Sequence, residues 1–330
     1  MTTSVPLVSV IVLTWNGRAW LDGCLGSLLA LDPPPSELIV VDNGSTDGTV
    51  DHVRATYPRV TVVALDRNHG FAGGNNAGAR VATGTYLAFL NNDTRVAPGW
   101  IGALVAPAEA DPAVGLVTSQ VVFMDRPDIL DSAGDGYLRC GGAFKHAHGQ
   151  SAAEGAMSRE VFGACGAAFL IRRDLFELLG GFDEDFFAVY EDVDLSYRAR
   201  LRGARCVYAA GAVVHHAGSA TLGRASAEAV FYGQRNLEWT WLKNTPTRLL
   251  WRSLFAHAAY NAAGALAYAR QGRLGPWCRA KWAAMAGLPR MSRKRKEIQA
   301  SAKISPDALW NLMEPRWVAI KRREKNFDFR

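Results

Sequence analysis

Val8-Ser9-Val10-Ile11-Val12-Leu13-Thr14 is β-branched and apolar at nearly every position. Successive side chains of a strand point to opposite faces. A run that is apolar at both parities therefore predicts a strand buried on both sides, as in a parallel sheet covered by helices. Working outward, Leu21, Leu25, Leu28 and Leu29 have helical spacing, and Pro33-Pro34-Pro35 ends that helix. Glu37 to Asp42 is a second strand, and Asn43-Gly44-Ser45-Thr46-Asp47-Gly48 is a turn able to cap the next helix. Val60 to Leu65 and Tyr86 to Leu90 are further strands. Strand and helix in alternation predict an α/β fold with a mostly parallel open sheet. Such sheets bind ligands at the carboxyl ends of their strands. Thr14, Trp15, Asn16, Asp42, Asn68 and Asp93 fall at or just after those ends.

Between the third and fourth strands lies Asn68-His69-Gly70-Phe71-Ala72-Gly73-Gly74-Asn75-Asn76-Ala77-Gly78. It reads as a glycine-rich loop, either one that approaches a phosphate or ribose closely or one that simply needs glycine, followed by a short helix. It lacks the terminal Gly-Lys-Ser/Thr of a Walker loop, and the first strand ends in Thr14-Trp15-Asn16-Gly17 without a dinucleotide fingerprint. The second half is mixed: strands at Val114 to Phe123 and Ala167 to Ile171, and a glycine-rich loop or hairpin from Gly134 to Gly149. A helix from Glu191 to Arg202 and an extended run from Val207 to His216 follow. From Glu228 onward the pattern is helical, with breaks at Pro246, Gly272, Pro276 and Pro289.

A chain of 330 residues with 49% apolar and 21% charged residues is an ordinary globular protein of about two domains. Five cysteines without a CxxC pair exclude a disulfide framework and a zinc ribbon, and fit a reducing cytoplasm. The stretch Met1 to Pro6 has no basic segment followed by an apolar core, so no signal peptide is expected. The formal charge is +6, with basic runs at Arg290 to Lys296 and Lys321 to Arg323, which points to an anionic surface near the tail. With Trp251, Trp277 and Trp282 nearby, that surface is either a membrane face or a helical cap with a solvated basic side.

Two acidic stretches carry the candidate chemistry. Leu87-Ala88-Phe89-Leu90-Asn91-Asn92-Asp93 delivers a carboxylate to the mouth of the sheet, where it suits a hard cation or a plain strand-end turn. Glu191-Asp192-Val193-Asp194 opens a helix, where carboxylates are stabilised by the dipole. Asp194 and Arg198, at i and i+4, read as a structural pair. Asp192 is the candidate general base. Of His215 and His216, one alone can face the site; His216 is the candidate, as a neutral ligand or phosphate contact.

Taken together, these segments resemble the family 2 glycosyltransferases, inverting enzymes of the GT-A fold, over Pro6 to about Thr221. The stretch from Val8 to Asn16 is similar to that family's first strand, and Val40 to Gly48 to its nucleotide-binding turn. Asn68 to Gly78 resembles the N-x-G-F-A-G-G-N-N-x-G segment of the rhamnosyltransferase-like branch. Leu90 to Thr94 stands in the place of the DxD metal motif, with Asn91 where its first carboxylate would be. Glu191-Asp192 matches the ED motif, and His216 with Gly218-Ser219-Ala220-Thr221 the late histidine motif.

The resemblance implies a catalytic GT-A domain over 1–225, with a nucleotide-sugar half at 1–95 and an acceptor and base half at 96–225. A helical, basic C-terminal extension would occupy 226–330. It implies that Thr14, Trp15, Asn16, Asp42, Asn68, Gly70, Phe71, Asn91 and Asn92 bind a nucleotide-sugar donor. Asp93 and His216 would hold Mg2+ or Mn2+, and Asp192, with Glu191 beside it, would take the acceptor proton. The implied reaction is inverting transfer, from dTDP-L-rhamnose or alternatively a UDP-sugar, to a glycan or lipid-linked glycan. The implied setting is cell-surface polysaccharide assembly at the cytoplasmic side of the membrane, with no nucleic-acid partner. A non-catalytic polyanion-binding protein is the alternative from another class, and it predicts strongly salt-sensitive binding.

Overall fold

The computed structural model describes residues 7–218 and 226–328. Four parallel strands, β1 (Val8–Thr14), β2 (Glu37–Asp42), β3 (Thr61–Ala64) and β4 (Tyr86–Asn91), lie side by side in the order β4-β1-β2-β3. The sheet then continues beyond β4 through a strand from the second half. Among the described residues, β5 (Thr94–Val96), β6 (Val114–Phe123), β7 (Leu130–Ser132), β8 (Asp135–Tyr137), β9 (Ala143–Lys145), β10 (Arg159–Val161), β11 (Ala168–Arg172) and β12 (Arg205–His216) follow. β11 runs antiparallel to both β4 and β6, while β12 runs parallel to β6 and antiparallel to the short β5. β8 and β9 form the hairpin expected within Gly134 to Gly149.

The alternation read from the sequence is what builds the core. Val10 and Val12 face one layer, with Leu25 of α1 (Arg18–Leu29) and a fully buried Trp100. Ile11 faces the other, with Ile39, Phe89 and Phe169. Phe89 meets Phe169, Phe176 and Phe182 at ring-centroid distances of 5.2, 5.2 and 5.1 Å. After α2 (Thr49–Thr56) comes the main departure from expectation. The glycine-rich segment is not a loop but helix α3 (Gly70–Val81). Its glycines let the helix lie directly on the sheet. A Cβ on Gly74 would sit 2.3 Å from Leu13, and one on Gly78 2.6 Å from Ile11 and 2.8 Å from Val41. The helix loses propensity at each glycine and regains it as close helix–sheet packing.

α4 (Trp100–Ala110), α5 (Arg173–Leu178) and α6 (Glu191–Leu201) complete the second half. Six helices follow: α7 (Ala227–Asn244), α8 (Thr247–Arg270), α9 (Leu274–Ala286), α10 (Leu288–Ala300), α11 (Pro306–Leu312) and α12 (Trp317–Asp328). Pro276 and Pro289 fall in the first turns of α9 and α10, where no amide donor is needed; the breaks are at Gly272 and Gly287. These helices are tied by charge to α6 and to the segment before it. Lys243 of α7, 1% exposed, reaches Asp183 at 2.5 Å and Asp194 at 2.7 Å. Lys294 of α10 also reaches Asp183, and Arg290 reaches Asp185. Arg295 donates to the carbonyls of Leu242 and Thr245. Much of the basic run is therefore turned onto the protein rather than outward. Asp194 pairs with Arg198 at 2.8 Å, as the i, i+4 spacing predicts. No helix among the described residues is long and apolar enough to cross a membrane.

Burial opposes ionisation of Asp183, but Lys243 and Lys294 outweigh it and hold its carboxyl well below the usual range. A depressed carboxyl adds stability above its unfolded pKa of about 3.8, and that stability is lost as pH falls toward the folded value. Urea denaturation between pH 5 and about pH 2 should therefore show a steeper loss of stability in the natural chain than in Asp183→Asn. Equal slopes would contradict the assignment.

Candidate active site

The carboxyl ends of β1, β2 and β4 share one edge of the sheet, and the site residues arrive there in turn. Thr14 is buried and its hydroxyl accepts from Asn92 Nδ2 at 2.9 Å. Gly17 must lack a side chain, because a Cβ there would lie 1.9 Å from that amide. Asn16 takes a positive φ of 50° and ties β1 to the turn after β2: its Oδ1 accepts from Thr46 N–H and its N–H donates to Ser45 Oγ, both at 2.8 Å. Trp15, beside it, is 40% exposed. Asp42 is buried; its Oδ2 accepts from Ser45 N–H at 3.0 Å, while Oδ1 has no partner among the described residues. A buried carboxylate oxygen without a donor is costly, and it suits a ligand N–H or O–H.

Asn68 does not face outward alone. Its Oδ1 accepts from Gly70 N–H and from Asn43 Nδ2, locking the start of α3 to the turn after β2. Gly70 has φ +72° and lies against the Phe187 carbonyl, where a Cβ would come within 2.3 Å. Phe71 is partly exposed, with its ring packed edge-on to Phe182, 5.6 Å between centroids, against the core. Asn91 ends β4 half-buried, and its carbonyl accepts from Thr94 Oγ in the turn that presents Asp93.

Asp93 and His216 meet because β12 pairs with β5 in a register that sets His216 opposite Thr94. His216 Nε2 lies 3.4 Å from Asp93 Oδ1, and its Nδ1 is 2.8 Å from Asp131 Oδ2. Burial pulls this imidazole's pKa down, but the two carboxylates outweigh it and push it up to about 9.

Asp131, on β7, is the centre that sequence reasoning missed. It is fully buried and pairs with Lys145 Nζ at 2.8 Å, while His148 lies against its carbonyl. Burial opposes its ionisation, but Lys145, His148 and His216 hold its carboxyl well below the usual range. Asp135, also buried, is pushed well above the usual range by burial and then by Asp192. Lys145 and Asp135 are thus close enough to Asp192 to act on its charge. Ion pairs run from Asp93 through His216 and Asp131 to Lys145, whose charge acts on Asp192 at longer range. The signal available beforehand was slight: a single Asp in the apolar stretch Ile129-Leu130-Asp131. From the far side, Phe327 of α12 stacks on Phe123 and touches His148 edge-on.

Asp192 stands at the start of α6, partly exposed, and its Oδ2 accepts from Gly166 N–H at 2.7 Å. Burial raises its pKa, opposed by the Gly166 and Val193 amides and by Lys145. Glu191, grouped with it by sequence, is situated differently. It is buried, its Oε2 has no partner among the described residues, and burial followed by Asp192 pushes it well above the usual range. The chain enters α6 through Phe187, Val189 and Tyr190, all at positive φ (64°, 66° and 77°). Such backbone costs about 1–3 kcal/mol per residue and collects at functional sites. Of the late histidine motif, Gly218 is described, while Ser219, Ala220 and Thr221 lie outside the described residues.

Comparison with known proteins bears on this geometry. A model of the family described as "Glycosyl transferase family 2" matches residues 9–180. The O-antigen biosynthesis protein RfbC of Myxococcus xanthus is 30% identical over 69% of this chain and 18% of its own length. The N-acetylglucosaminyl-diphospho-decaprenol L-rhamnosyltransferase of Mycobacterium tuberculosis is 30% identical over 67% of this chain and 78% of its own. Other relatives are also longer: this chain spans 25% of protein y4gI of Sinorhizobium fredii. Among solved structures, the mannosyltransferase PcManGT of Pyrobaculum calidifontis, in complex with GDP-Man and Mn2+, superposes with a TM-score of 0.54. It covers 91% of this chain and 85% of its own at 23% identity, a likeness of fold.

Replacing Asp131 by alanine should cost about 3 kcal/mol, the low end for a broken buried pair because Lys145 keeps some access to water. Urea denaturation measures this, and an unchanged midpoint would contradict the central place given to Asp131.

Proposed function

This chain belongs to glycosyl transferase family 2, and on that footing we propose that it transfers a sugar, with inversion, from a nucleotide diphosphate to an acceptor hydroxyl. The acceptor is a glycan or lipid-linked glycan of the cell surface. The first donor to test is dTDP-L-rhamnose, because the mycobacterial relative is an L-rhamnosyltransferase; UDP-sugars come second. One observation carries the reading. The chain of ion pairs Asp93–His216–Asp131–Lys145 starts from a place for the diphosphate at the ligand-binding edge of an α/β sheet, and its last charge acts on Asp192.

Each residue has a task that its surroundings support. Asp42 offers its unpartnered Oδ1 to the nucleoside, and the half-exposed Trp15 packs beside the base. Thr14, Asn16, Asn68 and Asn92 hold the loops that shape this half of the site. Asp192 removes the acceptor proton as the oxygen attacks the anomeric carbon, and the nucleoside diphosphate departs from the opposite face. A raised carboxyl pKa suits that task, since it makes the base stronger. Glu191 is buried and its pKa is pushed up by burial and then by Asp192, so the partly exposed Asp192 is the better placed of the two to act as base.

The donor set fits a divalent cation. Asp93 and His216 are both buried and face each other, and His216 is oriented by a carboxylate on its other nitrogen, the usual support of a metal-bound imidazole. Asp93 and His216 would hold Mg2+ or Mn2+, with Asn91 contributing no charge. A bound cation supplies neutralisation of the charge that grows on the leaving diphosphate. On the C-terminal helices, Trp251, Phe255 and Trp282 are 72%, 88% and 72% exposed, and they give the extension an apolar surface for a lipid-linked acceptor's membrane.

A thermal-shift panel of nucleotide sugars with and without Mn2+ tests the donor, and stabilisation confined to one nucleotide with Mn2+ is expected. Asp192→Asn should keep that stabilisation and lose about 100-fold or more in turnover. Normal turnover would remove Asp192 from the role of base. Gly166→Ala sets a methyl 2.7 Å from the Asp192 carboxylate and should lower kcat about tenfold or more at constant donor KM. A kcat equal to that of the natural chain would show that this carboxylate needs no such placement.

A further inference from the structure

The strained entry to α6 is held by more than its own backbone hydrogen bonds. Asn236, on α7 and 0% exposed, lies beneath it. Its Nδ2 donates to three carbonyls of the loop: Phe186 and Ala188 at 2.9 Å and Val189 at 2.6 Å. Its Oδ1 accepts from Arg235 Nε at 2.9 Å, which fixes the orientation of the amide. Arg235 in turn donates through Nη2 to the carbonyls of Asp185 and Phe186, at 3.0 and 2.9 Å, and its guanidinium lies over Trp239 at 4.2 Å. Phe187 stacks on Tyr232 of the same helix, 5.1 Å between centroids. α7 thus presents one face to the loop as a mould.

The mould explains how three non-glycine residues stay at positive φ. Without Asn236 the inward-turned carbonyls of Ala188 and Val189 would lose their side-chain donor, and a β-branched Val189 would not hold φ 66° unaided. The two N–H groups of one amide reach all three, one of them shared between two carbonyls. The next residues are Tyr190, Glu191 and Asp192, so the direction in which α6 starts is set by where Asn236 holds this turn.

We infer that Asn236 is a positioning residue for Asp192, with Arg235 fixing its amide. The inference rests on the reading of Asp192 as base. Asn236→Asp is isosteric and replaces the donors with an oxygen facing carbonyls. In the full-length chain, amides of 186–194 should then exchange with deuterium about tenfold faster or more, while those of β1 to β4 keep their natural rates. With dTDP-L-rhamnose as donor probe, kcat should fall about 30-fold, whereas donor KM and donor-induced stabilisation stay within about threefold. A purely structural role would lower donor affinity and thermal stability together with kcat, and that result overturns the inference. So does natural exchange in 186–194, whatever the turnover. If Asn236→Asp gives no folded chain, Arg235→Lys, which loses the Nε donor to Asn236, should show the same pattern to a smaller degree; natural exchange there overturns the inference equally. Failure of the underlying reading appears elsewhere, as normal turnover by Asp192→Asn.

Discussion

A carboxylate with no access to water must be surrounded by partners, and the site is organised around one such group. Asp131 is fully buried and draws Lys145, His148 and His216 to it. Each is delivered by a different piece of chain: the β8–β9 hairpin, the turn after it, and the end of β12. Once His216 is pinned by Asp131 on one nitrogen, its other nitrogen has a fixed direction, and Asp93 lies there. Lys145 extends the same field toward Asp192. Residues far apart in sequence are therefore gathered at Asp93 by ion pairs around Asp131 rather than by proximity in the chain.

The second constraint comes from the C-terminal helices. Lys243 joins Asp183 and Asp194 from within the core, and Lys294 and Arg290 add charges around Asp183 and Asp185. Asn236 and Arg235 shape the turn between those acids and α6. The helices are fixed on the segment that carries Asp192, and Arg290 and Lys294 of the basic run serve that purpose. This weighs against a chain whose tail exists to bind polyanions, because cations engaged by buried carboxylates have little charge left to offer.

The strands were legible because their physics is local. Val8 to Thr14 is apolar at both parities, and a two-sided strand is the consequence. Asp42 and Asp93 were legible because an acid directly after such a run can lie only at the sheet's edge. The Asp194–Arg198 pair followed from helical spacing. Asn68 to Gly78 misled, because a run of glycines lowers helix propensity and the compensating contacts with Leu13, Ile11 and Val41 are tertiary. Asp131 gave only a slight local signal, and Lys145 and Asn236 gave none. Each is a single polar residue whose meaning depends on partners dozens of positions away, and Asp135 and Glu191 owe their raised pKa to burial that only the fold creates.

Anomalous diffraction from crystals of the full-length protein grown with Mn2+ and the nucleoside diphosphate selected by thermal shift tests the central claim most directly. The account predicts a manganese peak bound by Asp93 and His216 and by the diphosphate, with the Asp192 carboxylate facing the same cavity from the other side. Nucleotide bound without manganese at Asp93, or with its phosphates turned away from Asp192, would contradict it.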